Sequence, residues 1–197
     1  MYNRRIIVGY NKPFAKSRKG KTAFAALVTV GVMRVLGIDP GLATIGFGVV
    51  DTDGRGGAIA VSNGVILTPK NESIPVRLAM IEQDLKKLIE KYKPNEIALE
   101  ELFFNDNQKT AINVAQARGV ILLTCVKECG RLYEYTPLQI KQALTGYGRA
   151  DKKQIQEMVK TLLKLKAIPK PDDAADAVAV ALTHIFTSRF SGEFGIK

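Results

Sequence analysis

Acidic residues stand at three places in this 197-residue chain where charge is costly to keep. Asp39 ends the apolar stretch of Gly37-Ile38-Asp39-Pro40-Gly41, and Glu100 ends that of Ile97-Ala98-Leu99-Glu100-Glu101. A carboxylate at the tip of a core strand resists desolvation unless it faces water or a cation, so two such tips invite a metal site. An acid that merely marks a strand end is the plainer reading of each one alone. The third place is Asp172-Asp173-Ala174-Ala175-Asp176, at the head of a stretch that continues in small apolar residues. Asp173 and Asp176 lie at i and i+3 of a helix and share a face, and the alanines beside them let that helix lie close to a sheet. Asp172 and Asp176 also share a face, so spacing leaves both pairings open; capping and dipole compensation suit Asp172 well.

Four converging carboxylates repel one another, and one or two Mg²⁺ ions among them relieve that repulsion. With two ions about 4 Å apart, one activates a water and the other stabilises a leaving 3′ oxygen in an in-line displacement at phosphorus. Histidine cannot supply a paired acid and base, because His184 is the single histidine. It lies eight residues beyond Asp176 on a roughly shared helical face, where packing and support of the acids are both open to it.

The elements that must position these acids are legible from periodicity and turn residues. Arg34 to Asp39, Thr44 to Asp51 and Ala58 to Leu67 read as three antiparallel strands, separated by Pro40-Gly41 and by Thr52-Asp53-Gly54. Ser73 precedes a helix of about 20 residues that Lys93-Pro94 ends. Glu96 to Glu100 is the fourth strand, Gln108 to Cys129 a long helix closed by Gly130, and Leu132 to Tyr135 the fifth strand. Helices at Pro137 to Leu144, Lys152 to Leu165 and Asp173 to Thr187 follow. The order β-β-β-α-β-α-β-α implies an α/β ribonuclease H-like fold: a five-stranded mixed sheet, its first three strands antiparallel, flanked by helices. In that fold the first and fourth strands are neighbours, which sets Asp39 beside Glu100. Glu101 faces the other way by alternation.

The Gly-Ile-Asp-Pro-Gly strand, Ala-Leu-Glu-Glu-Leu-Phe, Gln116-Ala117-Arg118-Gly119-Val120, the Val159 to Leu165 stretch and Asp-Ala-Ala-Asp-Ala together resemble the RuvC family of Holliday-junction resolvases. The resemblance runs in order from Met33 to about Ser188. It implies a Mg²⁺-dependent endodeoxyribonuclease that cuts four-way DNA junctions, with Asp39, Glu100, Asp173 and Asp176 as catalytic metal ligands, and so selects Asp173 over Asp172. It further implies a two-fold homodimer and a RuvA- and RuvB-type branch-migration complex as partner.

Lys141, Arg149, Lys152 and Lys153 surround the acid-poor loop Gly146-Tyr147-Gly148, a cluster suited to phosphates, although a solvated helix face is the alternative for any one of them. The resemblance strengthens Lys141 and Lys152. Phe103 and Phe104 follow the fourth strand directly, where a ring could stack on an unpaired base or join the core. The resemblance selects Phe103 for stacking. The Gln108 to Cys129 helix has small and apolar residues around much of its circumference, so one side suits the sheet and another a partner subunit.

The net charge of +10 is uneven: seven of the 29 basic residues and none of the 19 acids fall within residues 1–32, which leaves an excess of three for the rest. That leader reads as an extension or disordered arm, with a targeting peptide or an extra nucleic-acid contact as alternatives. Met33 looks like a natural start, which divides the chain into 1–32, a nuclease domain at 33–188 and a tail at 189–197. The longest apolar run, Ala23 to Val32, is short of the ~20 residues that span a bilayer. Cys125 and Cys129 fit neither a zinc cluster nor a disulfide framework and read as reduced thiols in a cytoplasmic protein. Two other functions compete. Asp-Pro-Gly after a first strand also suits an actin-like or sugar-kinase-type ATPase, though one copy of the motif argues against it, and a non-catalytic junction-binding module would have little need of four acids.

Overall fold

The computed structural model describes residues 6–10, 32–101 and 108–187. Its strands, in chain order, are β1 (Ile6–Tyr10), β2 (Arg34–Asp39), β3 (Thr44–Thr52), β4 (Ala58–Leu67), β5 (Glu96–Glu100) and β6 (Leu132–Tyr135). The helices are α1 (Ile74–Tyr92), α2 (Gln108–Glu128), α3 (Pro137–Thr145), α4 (Lys152–Leu162) and α5 (Asp172–Thr187). All five expected strands are present, and β1 adds a sixth: it pairs antiparallel with β4, Ile6 opposite Ile66 and Tyr10 opposite Ser62. The sheet order is β1-β4-β3-β2-β5-β6. Contacts β4-β3 and β3-β2 are antiparallel, while β2-β5 and β5-β6 are parallel, as helical crossovers require.

Local chemistry accounts for most helix ends. Pro75 sits in the first turn of α1, and Lys93 closes it in the left-handed region at φ 47°. Thr136 with Gln139 and Asp151 with Gln154 form complete capping boxes at the heads of α3 and α4. The α4 helix stops at Leu162 rather than running to Leu165, and Lys164 turns left-handed at φ 51°.

The sheet separates two apolar layers. Leu36, Ile38, Ile97 and Leu99 face α1 and α2, whereas Val35, Ala98 and Tyr135 face α3, α4 and α5. By alternation Asp39 and Glu100 fall on the α5 side. That side is built for close approach. A Cβ on Gly37 would collide with the Ala177 carbonyl oxygen, and one on Gly46 would collide with that of Asp173. Glycine on the strands and alanine on α5 thus bring helix backbone onto strand backbone, and Ala174 through Ile185 is buried apart from Asp176. Among the described residues, no helix is long and apolar enough to cross a membrane.

Candidate active site

Strand register brings the first two acids level. Ile38 pairs with Leu99 in the parallel β2–β5 contact, so the next residues, Asp39 and Glu100, stand side by side at the same end of the sheet. Asp39 is opposite Gly46 on β3, and a Cβ built on Gly46 would lie 3.2 Å from the Asp39 Cβ as well as against the Asp173 backbone. The missing side chain at Gly46 therefore seats the first turn of α5 next to Asp39, and one helical turn later comes Asp176. Residues 39, 100, 173 and 176, far apart in the chain, share one neighbourhood.

The electrostatics follow from that crowding. Burial, then repulsion from Glu100, Asp176 and Asp173, pushes the Asp39 carboxyl up to about 8. Burial and Asp176 push Glu100 up to about 7, against the opposing pull of Lys152 and Lys141. Burial also raises Asp176, although Lys152 acts in the other direction. The Lys152 ammonium is the counter-charge already in place, 2.8 Å from Asp176 Oδ2. Its own affinity for the proton is raised, chiefly by that hydrogen bond.

Among the described residues, no three acidic, histidine or cysteine side chains stand close enough together to hold a metal ion in their present rotamers. The donor chemistry nonetheless fits a hard divalent cation: the groups are carboxylates only, partly desolvated, mutually repelling and short of positive charge.

The remaining candidates distribute as follows. Lys141, on α3, lies close enough to Glu100 to lower its proton affinity, and Lys152 touches Asp176 directly. Arg149 and Lys153 are exposed on the α3–α4 connection and the first turn of α4, and among the described residues neither has an acidic partner within ion-pair distance. Phe103 and Phe104 lie outside the described residues. His184 belongs to another structure altogether. It is fully buried, its Nε2 is 2.6 Å from Glu96 Oε2, and its Nδ1 is 2.7 Å from the Tyr135 hydroxyl. Glu96 begins β5 and Glu100 ends it, so His184 pins the far end of α5 to the sheet rather than serving the acids. Burial lowers its pKa, with Glu96 pulling the opposite way, which suits a neutral ring that donates to Glu96 and accepts from Tyr135.

Sequence reasoning missed the Lys152–Asp176 pair, which no local pattern encodes, and the Asp172 carboxylate's contacts with Lys170 and Lys152. The seat for α5 had left a trace, since Gly46 and Gly48 alternate on one face of β3 opposite an alanine-rich helix.

The profile of the family described as crossover junction endodeoxyribonuclease RuvC matches residues 35–184. A RuvC of Finegoldia magna is 58% identical over 158 residues, which cover 80% of this chain and 96% of that protein. A RuvC of Alkaliphilus oremlandii is 50% identical over 165 residues, 84% of this chain and all of its own. Among solved structures, Thermus thermophilus RuvC in complex with a Holliday junction substrate superposes with a TM-score of 0.78 at 35% identity, covering 83% of this chain and 99% of that one. The yeast mitochondrial Holliday junction resolvase Ydc2, at 19% identity and a TM-score of 0.61, shares the fold. With the family profile matched from residue 35 to residue 184 and relatives at least half identical over about four fifths of its length, the chain belongs to the RuvC family of crossover junction endodeoxyribonucleases.

Proposed function

We propose that this chain resolves four-way DNA junctions by hydrolysing one phosphodiester in each of two symmetry-related strands, with Asp39, Glu100, Asp173 and Asp176 holding Mg²⁺. The observation that carries the proposal is the register that sets Asp39 level with Glu100 while the head of α5 rests on Gly46 beside them, a crowding that pushes the Asp39 carboxyl up to about 8. A site that repels its own ionisation is one that a divalent cation stabilises. When bound, the cation supplies an activated water and charge stabilisation for the leaving oxygen.

The protein's own groups do the rest. Asp39 and Glu100, on adjacent strands, would hold the cation in their ionised form. Asp173 and Asp176 would hold it from α5. Lys141, Arg149, Lys152 and Lys153 hold the phosphates that lead to the reacting bond. Phe103, next to the catalytic strand in sequence, stacks on an unpaired base at the junction centre. Residues 33–188 are the working unit.

The chain acts as a two-fold homodimer, because paired cuts on dyad-related strands call for paired sites. The surface of α2 supports this. Ala117, Ile121 and Cys125 face the sheet, while Ile112, Leu123 and Val126 are 61%, 56% and 53% exposed. A Cβ on Gly119, on that outward side, would meet nothing within 4 Å. Such an apolar stripe is what a second copy of the helix covers. In the cytoplasm a RuvA- and RuvB-type branch-migration complex delivers the junction.

Cleavage of a synthetic four-way junction, compared with linear duplex, with and without Mg²⁺, tests the reading. The junction alone should be cut, only with the cation, and Asp39→Asn should abolish cutting while retaining junction binding. Binding without cleavage in the parent protein would make the chain a recognition module instead.

A further inference from the structure

The cation proposed above needs the Asp176 carboxylate, and Lys152 now holds one of its two oxygens. Lys152 Nζ is 2.8 Å from Asp176 Oδ2 and 3.8 Å from Asp172 Oδ2. Asp172 is itself oriented: its Oδ1 is held by the Lys170 ammonium at 2.8 Å, and its other oxygen is the one turned toward Lys152. Asp172 and Asp176 stand at i and i+4 of α5, so one lysine can reach either carboxylate by a change of rotamer. The backbone under that lysine is anchored, since Lys152 is the first residue of α4 and Asp151 closes a capping box there. Its side chain is 55% exposed and has room to move.

We propose that Asp172 is a positioning residue that receives the Lys152 ammonium when Asp176 turns to the cation. This inference rests on the cation reading of the previous section. An ammonium and a divalent cation on one carboxylate repel each other, so a cation on Asp176 weakens the Lys152–Asp176 pair and favours a second acceptor for the ammonium. Without a second acceptor the whole pair is lost at each binding event. Asp172 replaces it, a short distance further out. The handover also leaves the ammonium at the rim of the site, where an arriving phosphate meets it, rather than inside. Asp172 thus sets cation affinity without touching the cation, a role that helix capping alone would not give it.

Calorimetric titration of Mg²⁺ into the full-length, DNA-free protein tests this through a double-mutant cycle. Asp172→Asn should weaken binding about threefold or more, because Lys152 then leaves Asp176 for water rather than for a second carboxylate. Lys152→Met should tighten it. In the Lys152→Met background, Asp172→Asn should change affinity by less than about twofold, and Asp172→Glu in the parent should restore most of the loss. Equal weakening by Asp172→Asn in both backgrounds would show that Asp172 acts through its charge alone and would overturn the handover. Asp39→Asn in the same titration keeps the two ideas apart. If it removes binding while the cycle is additive, the cation site stands and the handover falls. If Asp39→Asn binds Mg²⁺ like the parent, or the parent binds none, the cation reading falls and the handover with it. Thermal melts in EDTA confirm that each variant is folded.

Discussion

Asp39→Asn should stabilise the metal-free protein, by an amount that grows with pH. The folded-state pKa of Asp39, about 8, lies above its ordinary value of 3.8. A carboxyl raised in this way leaves the fold most stable below about pH 4; as pH rises the unfolded chain ionises while the folded one keeps its proton, and stability is lost until about pH 8. The slope is about 1.4 kcal/mol per pH unit, which amounts to about 4 kcal/mol between pH 4 and pH 7. Rearrangement of Lys152 and the neighbouring acids offsets part of this, so about 2 to 4 kcal/mol is the expected gain at pH 7.5. Asparagine keeps the shape and never ionises. For a domain of this size the gain raises the melting temperature by roughly 5 to 12 °C. Melts of parent and variant in EDTA at pH 5 and pH 7.5 should show about a third of the difference at the lower pH and the full one at the higher. Adding Mg²⁺ should then stabilise the parent and leave the variant nearly unchanged. A variant no more stable than the parent at pH 7.5 in EDTA, or a gain that ignores pH, would refute the claim that burial and the neighbouring acids disfavour the ionised Asp39 carboxyl in the folded state.

Gly46→Ala should destabilise the protein by about 2 to 4 kcal/mol and weaken Mg²⁺ binding together, since the added methyl must push the Asp173 backbone away from Asp39; urea melts and calorimetry read both. His184→Ala removes the partner of Glu96 and Tyr135 and should cost about 2 to 4 kcal/mol in urea melts while cation affinity changes little, because this network sits at the opposite end of α5 from Asp173 and Asp176. Leu123→Glu combined with Val126→Glu should leave the fold intact and convert the proposed dimer to a monomer by sedimentation, since both side chains are more than half exposed on the single chain.

The positions of the strands and of the acids at their tips were legible because both are local matters. Alternation of apolar residues marks a strand, and a carboxylate closing such a run is conspicuous without knowledge of what lies beside it. The capping boxes at Thr136 and Asp151 mark helix starts in the same way, with all their hydrogen bonds contained within four residues. Helix ends were less legible: Leu162 to Leu165 keeps an apolar helical pattern, yet the backbone leaves the helix there. Strand β1 was hidden inside a basic leader, because pairing with an edge strand needs backbone groups rather than a distinctive side-chain pattern.

What the linear order determined about this protein, then, is which carboxylates exist to be gathered and which elements carry them. Only the tertiary structure decided how they are charged and who shares them. Lys152 meets Asp176 across 24 residues, and His184 meets Glu96 across 88. Desolvation at Asp39 depends on α5 resting on Gly46, a contact between β3 and a helix more than 120 residues later. Electrostatic energy depends on distance in space and on the surrounding dielectric, and neither quantity is a property of position along a chain.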